Sequence, residues 1–329
     1  MTRVAVAMPV YNDERYLPLA LDALAAQTYR DFKLTLVDDG STDRSAVIAE
    51  GYADRIPMTI IRAEHRGLRT TKRAAVEAAP DEAEFVLILD SDTALPEHAM
   101  ERMVELLDRD PQVAAVSAQA RCVTDRRWGR GQAFFEDLVR ETNLNEREET
   151  RWIVGACVMF RRSVLRGIRM RVDINEDSDL SLQLRDHYRL LQPRDLVAQH
   201  YGVPTTLRGI WHRGYRDGLR VRALIRAHSS GLQLGSISRL VPLPLGAAIV
   251  AGTLTLQPWL AGSAAALAGL YVGAFLVASR KVPGDLATRL EGTGLFLLSN
   301  LGFALGFVRE SFAKPAGEEL SEPARNLQK

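Results

Sequence analysis

The chain contains very little cysteine: Cys122 and Cys157 are the only two among its 329 residues. Two cysteines are too few for the disulfide framework of a small secreted domain or for a structural zinc site. We therefore expect both to be buried as small apolar residues in a reducing compartment. Net charge is also nearly absent, at +1 formally, so the average charge says nothing about an acidic partner. We expect no nucleic-acid ligand.

Two further features are absent near the N-terminus. The apolar part of residues 1–9 is too short for a secretory signal and instead predicts a first strand at Val4–Met8, so we expect the soluble part of the chain to lie in the cytoplasm. The sequence that ends this strand, Met8-Pro9-Val10-Tyr11, contains no glycine. A dinucleotide-dependent dehydrogenase needs a glycine-rich turn there, which argues against that enzyme class.

The first 200 residues do contain an alternation of short apolar runs and helical patterns. Strands are predicted at residues 4–8, 33–37, 58–62, 85–89, 113–117 and 152–160, and helices at residues 16–27, 70–79, 96–107, 131–150 and 179–188. This order is typical of an α/β protein with a mostly parallel central sheet and flanking helices.

Two acids close the most apolar of these predicted strands, because Asp90-Ser91-Asp92 directly follows Phe85–Leu89. A buried strand ends at the carboxyl edge of its sheet, and open α/β sheets bind their ligands at that edge. Two carboxylates one residue apart repel each other unless a cation or a proton lies between them. The pattern indicates a metal site, and capping of the next helix by Asp92 or Thr93 is the alternative.

The character of the chain changes after residue 205. Arginines alternate with aromatic and aliphatic residues from Thr206 to Ala227, which predicts a basic amphipathic helix in a membrane interface. Two uncharged stretches follow at residues 240–256 and 259–278, each close to the length that crosses a bilayer. Basic residues flank the pair, so the positive-inside rule places both outer ends in the cytoplasm. A buried hairpin of a soluble protein is the alternative.

A third apolar stretch, residues 293–308, is short and contains Asn300. A spanning helix and an interfacial or re-entrant segment both stay open for it. The predicted organisation is an α/β domain at residues 1–205, a basic helix at residues 206–239 and a membrane region at residues 240–329.

Four sequence blocks occur in order along the α/β domain. They are Pro9-Val10-Tyr11-Asn12, Val37-Asp38-Asp39-Gly40-Ser41-Thr42-Asp43, Asp90-Ser91-Asp92 and Glu176-Asp177-Ser178-Asp179-Leu180-Ser181-Leu182. Together they resemble the family 2 glycosyltransferases over about residues 3–215. The resemblance implies a GT-A nucleotide-sugar fold for residues 1–205 and a transferase that inverts the anomeric centre. The Gln-x-x-Arg-Trp motif of the processive synthases is missing, which disfavours a polymerase.

The resemblance assigns the nucleotide to the residues that match Pro9, Tyr11 and Asp39. Asp13 follows the same strand and can reach the base or the ribose. An aromatic ring suits contact with a flat base, and a carboxylate can accept the N–H of uracil or guanine. Core packing of Tyr11 and an Asx-turn at Asp38-Asp39 are the alternatives.

The resemblance also assigns Asp90 and Asp92 to the metal motif, with Asp92 as the direct ligand and Asp90 directed to the ribose or the metal. The implied cation is Mg²⁺ or Mn²⁺, because hard oxygen ligands and phosphates suit those ions. Lys72 stands near a basic position of the family and can contact the same phosphates, with surface solvation as the alternative. His200 follows a predicted strand, and both a metal or diphosphate role and a structural role stay open for it.

Asp177 matches the catalytic base of the family. Inversion requires one carboxylate to take the proton of the acceptor hydroxyl during in-line attack. The start of a helix would stabilise Asp177 as an anion, and helix capping by the same group is the alternative. Glu176 and Arg213 are assigned to the diphosphate or acceptor side.

The sequence therefore predicts a membrane-anchored, inverting, metal-dependent glycosyltransferase that uses a UDP- or GDP-linked sugar. The basic helix and the apolar hairpin predict a multi-pass protein of the cell membrane with its catalytic domain in the cytoplasm and a lipid-linked or glycolipid acceptor. A polyprenyl-phosphate acceptor, which needs no base, is one alternative. A non-catalytic nucleotide-sugar-binding membrane protein is the other.

Overall fold

The structure, a computed structural model, describes residues 2–124, 128–168, 176–203, 206–227 and 258–312, together with residues 244, 248 and 255. The strands are β1 (Val4–Val10), β2 (Phe32–Asp38), β3 (Met58–Arg62), β4 (Phe85–Leu89), β5 (Thr93–Ala94), β6 (Val113–Ser117), β7 (Gln119–Cys122), β8 (Cys157–Arg161), β9 (Arg189–Leu191) and β10 (Val197–His200). The helices are α1 (Leu17–Ala25), α2 (Ser45–Glu50), α3 (Leu68–Glu77), α4 (Ala99–Arg109), α5 (Gly129–Asn143), α6 (Arg162–Leu165), α7 (Glu176–Leu184), α8 (Leu207–Ala227), α9 (Pro258–Ala278) and α10 (Leu286–Phe312).

The main sheet has the order β3-β2-β1-β4-β8-β6-β9. Its strands are parallel except for β8, which runs antiparallel to both β4 and β6. The predicted mostly parallel α/β sheet is therefore confirmed. The strand predicted at residues 152–160 begins only at Cys157, and the helix predicted at residues 131–150 ends at Asn143.

The sheet is buried on both faces, as its continuous apolar strands require. One face packs against α1 and α4, with Leu21 and Met103 fully buried there. The other face packs against α3 and α7, with Ala75 and Leu184 buried. These two layers fix the ends of the strands, and the ends carry the predicted site.

A second, smaller sheet of order β5-β10-β7 lies beside the main one. Its strands are too short to show a period in the sequence. β10 pairs antiparallel with β5, so that His200 lies opposite Thr93. It also pairs parallel with β7, so that His200 lies opposite Cys122. This sheet brings His200 next to the acids that follow β4.

Helices α8 and α10 pack backbone against backbone. A Cβ atom at Gly218 would lie 1.9 Å from a carbonyl oxygen of α10, and a Cβ atom at Gly306 would lie 2.1 Å from a carbonyl oxygen of α8. Gly214 and Gly302 make the same kind of contact four residues earlier on each helix. Glycine alone permits two helices to approach this closely. One face of the basic helix α8 is therefore covered by α10.

Two described helices are long and apolar enough to cross a membrane by length and composition, at Gly262–Lys281 and Leu286–Arg309. Only 11% of the apolar window in the first is buried, against 50% in the second. The predicted stretches at residues 259–278 and 293–308 lie within α9 and α10, and the stretch at residues 240–256 lies almost wholly outside the described residues. α9 is thus the more exposed of these two apolar helices.

Candidate active site

The candidate site lies where parallel strands end side by side. β1 lies between β2 and β4 and runs parallel to both. The segments that follow these strands, residues 11–13, 39–43 and 90–92, therefore meet at one edge of the sheet. Pro9 is buried within β1 at the start of this edge.

Tyr11 stands exposed at the end of β1. Its ring stacks on His65, with the ring centroids 4.1 Å apart and the planes 25° from parallel. The side chain is 46% exposed, so the alternative of core packing is wrong. A half-exposed aromatic face at this edge is available to a flat ligand.

The Asp39 carboxylate fixes the segment that carries His65. Asp39 is buried and accepts hydrogen bonds from the backbone N–H groups of Arg66, at 2.8 Å, and Gly67, at 2.9 Å. Nδ1 of His65 lies 2.9 Å from Oδ2 of the same carboxylate. Asp39 and Tyr11 are thus joined through His65 into one surface.

Asp38, the residue before Asp39, shapes the turn that follows β2. Oδ1 of Asp38 accepts the backbone N–H of Ser41 at 3.1 Å, so Asp38 forms the side-chain turn that was the alternative for the Asp38-Asp39 pair. Gly40 takes φ +72°, and a Cβ atom there would lie 3.0 Å from the backbone nitrogen of His65. Glycine is required at this point for both reasons.

Lys72 and Asp90 form a buried ion pair. Nζ of Lys72 lies 2.9 Å from Oδ1 of Asp90, and the Lys72 side chain is only 2% exposed. The alternative of a solvated surface lysine is therefore wrong. Burial raises the pKa of Asp90 and the charge of Asp92 adds to that effect, whereas the Lys72 ammonium lowers it.

Asp92 pairs with His200 across the smaller sheet, with Oδ1 of Asp92 3.3 Å from Nε2 of His200. Burial acts to raise the pKa of Asp92, but the hydrogen bond and charge of His200 outweigh it and the pKa is lowered. Burial acts to lower the pKa of His200, but Asp92 and the more distant acids raise it. A side chain at Gly202 would meet Oδ2 of Asp92 at 1.8 Å, so a glycine leaves room for this carboxylate.

The helix-cap alternative for this acidic pair is wrong. β5 begins directly after Asp92, at Thr93, and α4 begins only at Ala99 with His98 before it. Neither Asp92 nor Thr93 is near the first turn of that helix.

Asp13 joins the same group of acids. Burial raises its pKa to about 6, and the charges of Asp92, Asp43 and Asp90 contribute, while a hydrogen bond with Ser91 acts in the opposite direction. Several carboxylates are thus held close together where each opposes ionisation of the others. A divalent cation would relieve that repulsion.

The carboxylates at this sheet edge fit Mg²⁺ or Mn²⁺ if the phosphates of a bound ligand complete the coordination shell. Within the described residues no three His, Cys, Asp or Glu side chains are grouped as a complete metal site. Mg²⁺ is commonly held by one or two carboxylates with substrate phosphates and water completing the shell. Asp92 and Asp90 supply two carboxylates at one sheet edge, and His200 lies against Asp92.

Asp177 lies in the first turn of α7, which begins at Glu176. Its Oδ1 accepts the backbone N–H of Ser178 at 2.7 Å. A Cβ atom at Gly155 would lie 3.1 Å from Cβ of Asp177, and Nζ of Lys72 lies 3.5 Å from the Gly155 carbonyl oxygen. Gly155 therefore contacts both Asp177 and Lys72 and links the base candidate to the acidic group. The side chain of Glu176 lies outside the described part of the chain.

Arg213 projects from α8 towards α5, where Nη1 lies 3.4 Å from Oε1 of Glu136. The charge of Glu136 raises the pKa of His200, although less than Asp92 does. Both Arg213 and Glu136 also act on Cys122, whose pKa is raised to about 12, chiefly by burial. Arg213 is thus placed beside the smaller sheet, on the side of His200.

Three residues that the structure places at the site belong to no sequence motif identified above: His65, Gly155 and Glu136. His65 precedes Arg66-Gly67 in the loop after β3, and a glycine so close to a strand end was the available signal. Gly155 lies just before the apolar run of β8, which gives a similar signal. Glu136 has no signal, because a helix surface presents many acids.

Known proteins are similar to this chain in sequence and in fold. The poly(ribitol-phosphate) β-N-acetylglucosaminyltransferase TarS of Staphylococcus aureus is 30% identical over 110 residues, a match that covers 33% of this chain and only 19% of TarS. The mannosyltransferase PcManGT from Pyrobaculum calidifontis was solved in complex with GDP-Man and Mn²⁺. It has a TM-score of 0.61 at 23% identity, and the match covers 94% of this chain and 87% of the PcManGT chain. S. aureus TarS 1-349, in complex with UDP-GlcNAc, has a TM-score of 0.52 at 18% identity over 92% of each chain. These structures show a shared fold.

The family itself is shown by the sequence. The family model described as Glycosyl transferase family 2 matches residues 5–169, which is half of the 329-residue chain. The matched segment contains β1 from Ala5 onwards, the Asp39 turn, Lys72 and the Asp90-Ser91-Asp92 block, and the fold around them agrees with the predicted one. The chain therefore belongs to glycosyl transferase family 2 and carries a glycosyltransferase domain of that family.

Proposed function

We propose that the protein transfers a sugar, with inversion and with a divalent cation, from a UDP- or GDP-linked donor to a lipid-linked acceptor at the cytoplasmic membrane face. The observation that carries the proposal is the acidic group at the sheet edge: Asp90 lies beside Lys72, Asp92 is two residues further along the chain, and Gly155 lies near both Lys72 and Asp177. In this proposal Asp90 and Asp92 hold the cation, and Asp177 takes the proton of the acceptor.

The nucleotide is proposed to bind at the surface formed by Tyr11, His65 and Asp39. The exposed ring of Tyr11 offers a face to the base. The carboxylate of Asp39 already accepts two backbone N–H groups and lies against Nδ1 of His65, and a carboxylate has about four lone-pair sites. It can therefore accept one more N–H from a base while the His65 segment stays in place.

The diphosphate is proposed to lie between this surface and the acidic group. A cation held by Asp92 and Asp90 would supply Lewis-acid stabilisation of the charge that develops on the diphosphate. His200 holds the Asp92 carboxylate in the ionised form that such a ligand needs. Lys72 keeps Asp90 in position and carries positive charge towards the same region. Arg213 and Glu176 are proposed for the diphosphate or acceptor side.

The acceptor is proposed to approach Asp177, which takes the proton of its hydroxyl as the sugar is transferred. The membrane placement of that acceptor is supported by α9, which is apolar, 21 residues long and largely exposed. The similar enzymes bind GDP-Man or UDP-GlcNAc, which supports a nucleotide-sugar donor of either kind for this chain.

Substitution Asp177→Asn tests the base role. Transfer to a hydroxyl acceptor should fall by about 10²–10⁴-fold, because a carboxamide cannot take the proton. Binding of the nucleotide-sugar, measured by calorimetry with Mn²⁺, should stay unchanged. Asp186→Asn is the matched control, since Asp186 is an exposed acid just after the same helix.

Full transfer activity in Asp177→Asn would remove this residue from the base role. It would favour a polyprenyl monophosphate as the acceptor, because a phosphate is already an anion and needs no base. The wild-type protein could instead release no nucleotide from any UDP- or GDP-sugar, with or without Mn²⁺. That result would indicate a non-catalytic binding protein.

A further inference from the structure

A polar cavity of about 350 Å³ lies outside the candidate active site, between β7, α5 and the end of α9. Its lining residues are Gln119, Arg121, Asp137, Glu141, Arg194, Lys281, Val282 and Pro283. It shares no residue with the acidic group or with the Tyr11 surface. The cavity is therefore a separate feature of the molecule.

The lining has more hydrogen-bond donors and positive charge than its own acids satisfy. Arg194 is ion-paired with Glu141. Arg121 and Lys281 form no ion pair within the described residues, and both are exposed towards solvent. Three cations thus face two acids, and two of the cations stay available to a ligand.

A buried amide adds a donor that has no partner among the described residues. Gln119 is only 3% exposed, and its buried Nε2 atom makes no hydrogen bond there. A buried N–H group without an acceptor costs free energy, and such groups are rare. Gln119 and Arg121 are two positions apart in β7, so their side chains lie on the same face of that strand. A ligand rich in acceptor oxygens would satisfy the amide and the two free cations together.

The position of the cavity indicates where such a ligand comes from. Lys281 ends the apolar segment Gly262–Lys281 and lines the cavity. The next residue, Val282, is buried against Phe134 and Leu138 of α5, which anchors the end of α9 to the catalytic domain. If α9 lies in the membrane, the cavity lies at the level of the lipid headgroups.

We propose that this cavity binds a phosphate group, in the form of a lipid phosphate headgroup or of free phosphate. Phosphate carries several acceptor oxygens and negative charge, which match the guanidinium of Arg121, the ammonium of Lys281 and the amide of Gln119. The phosphate chemistry is independent of the proposed transferase mechanism. Only the lipid source rests on the proposed membrane placement.

Calorimetric titration of the full chain in a neutral detergent tests this site. The probes are dihexanoyl phosphatidic acid, inorganic phosphate and the uncharged dihexanoylglycerol. Phosphatidic acid should bind and dihexanoylglycerol should not. Arg121→Gln and Lys281→Gln should each weaken binding on the order of tenfold, because each removes a charged hydrogen bond. Arg280→Gln is the matched control, an exposed neighbour that does not line the cavity, and it should bind like the wild type.

Equal binding of phosphatidic acid and inorganic phosphate would support the phosphate site and identify free phosphate as a sufficient ligand. Unchanged affinity in both Arg121→Gln and Lys281→Gln, or binding of dihexanoylglycerol as tight as that of phosphatidic acid, would overturn the proposal. The readout is binding, so a protein that proves inactive as a transferase still reports on this cavity.

Discussion

At the scale of single residues, Lys72 is the most demanding side chain of the domain. It is among the largest fully buried side chains, and its charge is balanced by Asp90 in the middle of the acidic group. A buried ion pair contributes little relative to an apolar pair, but loss of one partner leaves the other charge buried and unpaired. Lys72 therefore serves the fold as well as any ligand at the site.

Lys72→Met should lower the free energy of unfolding by on the order of 3 kcal/mol, because Asp90 is left without its partner. Thermal unfolding followed by circular dichroism measures the effect. Arg73→Met is the matched control: Arg73 is the next residue, 45% exposed, with a surface pair to Glu77. It should change stability by about 0.5 kcal/mol or less. Equal melting temperatures of the two variants would show that the Lys72–Asp90 pair is dispensable to the fold.

At the scale of elements, the contact between α8 and α10 depends on four glycines. Each helix carries two of them, four residues apart. Gly214 and Gly218 face Gly302 and Gly306, and a Cβ atom at any of them would lie within 2.7 Å of a backbone atom of the other helix. Backbone atoms cannot rotate away as a side chain can. The close approach also positions α8, and with it Arg213.

Gly306→Ala and Gly294→Ala distinguish the effect of the helix contact on stability from the effect of helix propensity. Both glycines lie in α10, but only Gly306 contacts α8. Gly294 has nothing within 4 Å of its added Cβ, so alanine there should stabilise the protein by about 0.5–1 kcal/mol. Alanine at Gly306 must push the helices apart and should destabilise the protein by about 1–3 kcal/mol. Thermal unfolding in a neutral detergent measures the change in stability of each variant. Stabilisation by Gly306→Ala would mean that the helices are not in close contact.

At the scale of the whole molecule, α9 is the more exposed of the two long apolar helices in the described part of the chain. Leu267 and Leu270 are 55% and 70% exposed, and few residues of the catalytic domain cover this helix. Exposed apolar surface of this extent marks a surface for lipid or a partner. α10, in contrast, is half covered by α8 and α5. Deletion of residues 240–329 would uncover those two helices, so point substitutions in α9 are the better test of membrane contact.

If α9 is the main membrane anchor of the proposed enzyme, Leu267→Arg with Leu270→Arg should move the protein from the membrane pellet to the supernatant. Each arginine near the centre of a spanning helix costs about 2.5–3.5 kcal/mol, whereas the exposed sites leave the protein core untouched. Carbonate extraction of cell membranes measures the distribution between pellet and supernatant. Val47→Arg, at an exposed site of the catalytic domain, is the control and should stay in the pellet. A wild-type protein found in the supernatant would refute membrane anchoring.

The sequence predicted the elements that have a clear period and the sheet edge at which the candidate site residues lie. The runs at Val4–Met8 and Phe85–Leu89 formed strands, and Asp90 and Asp92 appeared at the predicted edge. β5 and β7 were not predicted, because strands of two and four residues show no alternation. The stack of Tyr11 on His65 and the contact of Gly155 with Asp177 join residues far apart in the chain. Such contacts depend on tertiary packing, which no local pattern encodes.

The hydrogen bonds of Asp39 have a consequence for the thermodynamics of donor binding. Its carboxylate holds the backbone N–H groups of Arg66 and Gly67 through contacts within the chain itself. The entropy cost of ordering residues 65–67 is therefore met once, during folding, and is not repeated in each catalytic cycle. Nucleotide association at this surface should then behave as entry into a preformed pocket, with a rate close to that of rigid docking and little change in heat capacity beyond the burial of the base itself.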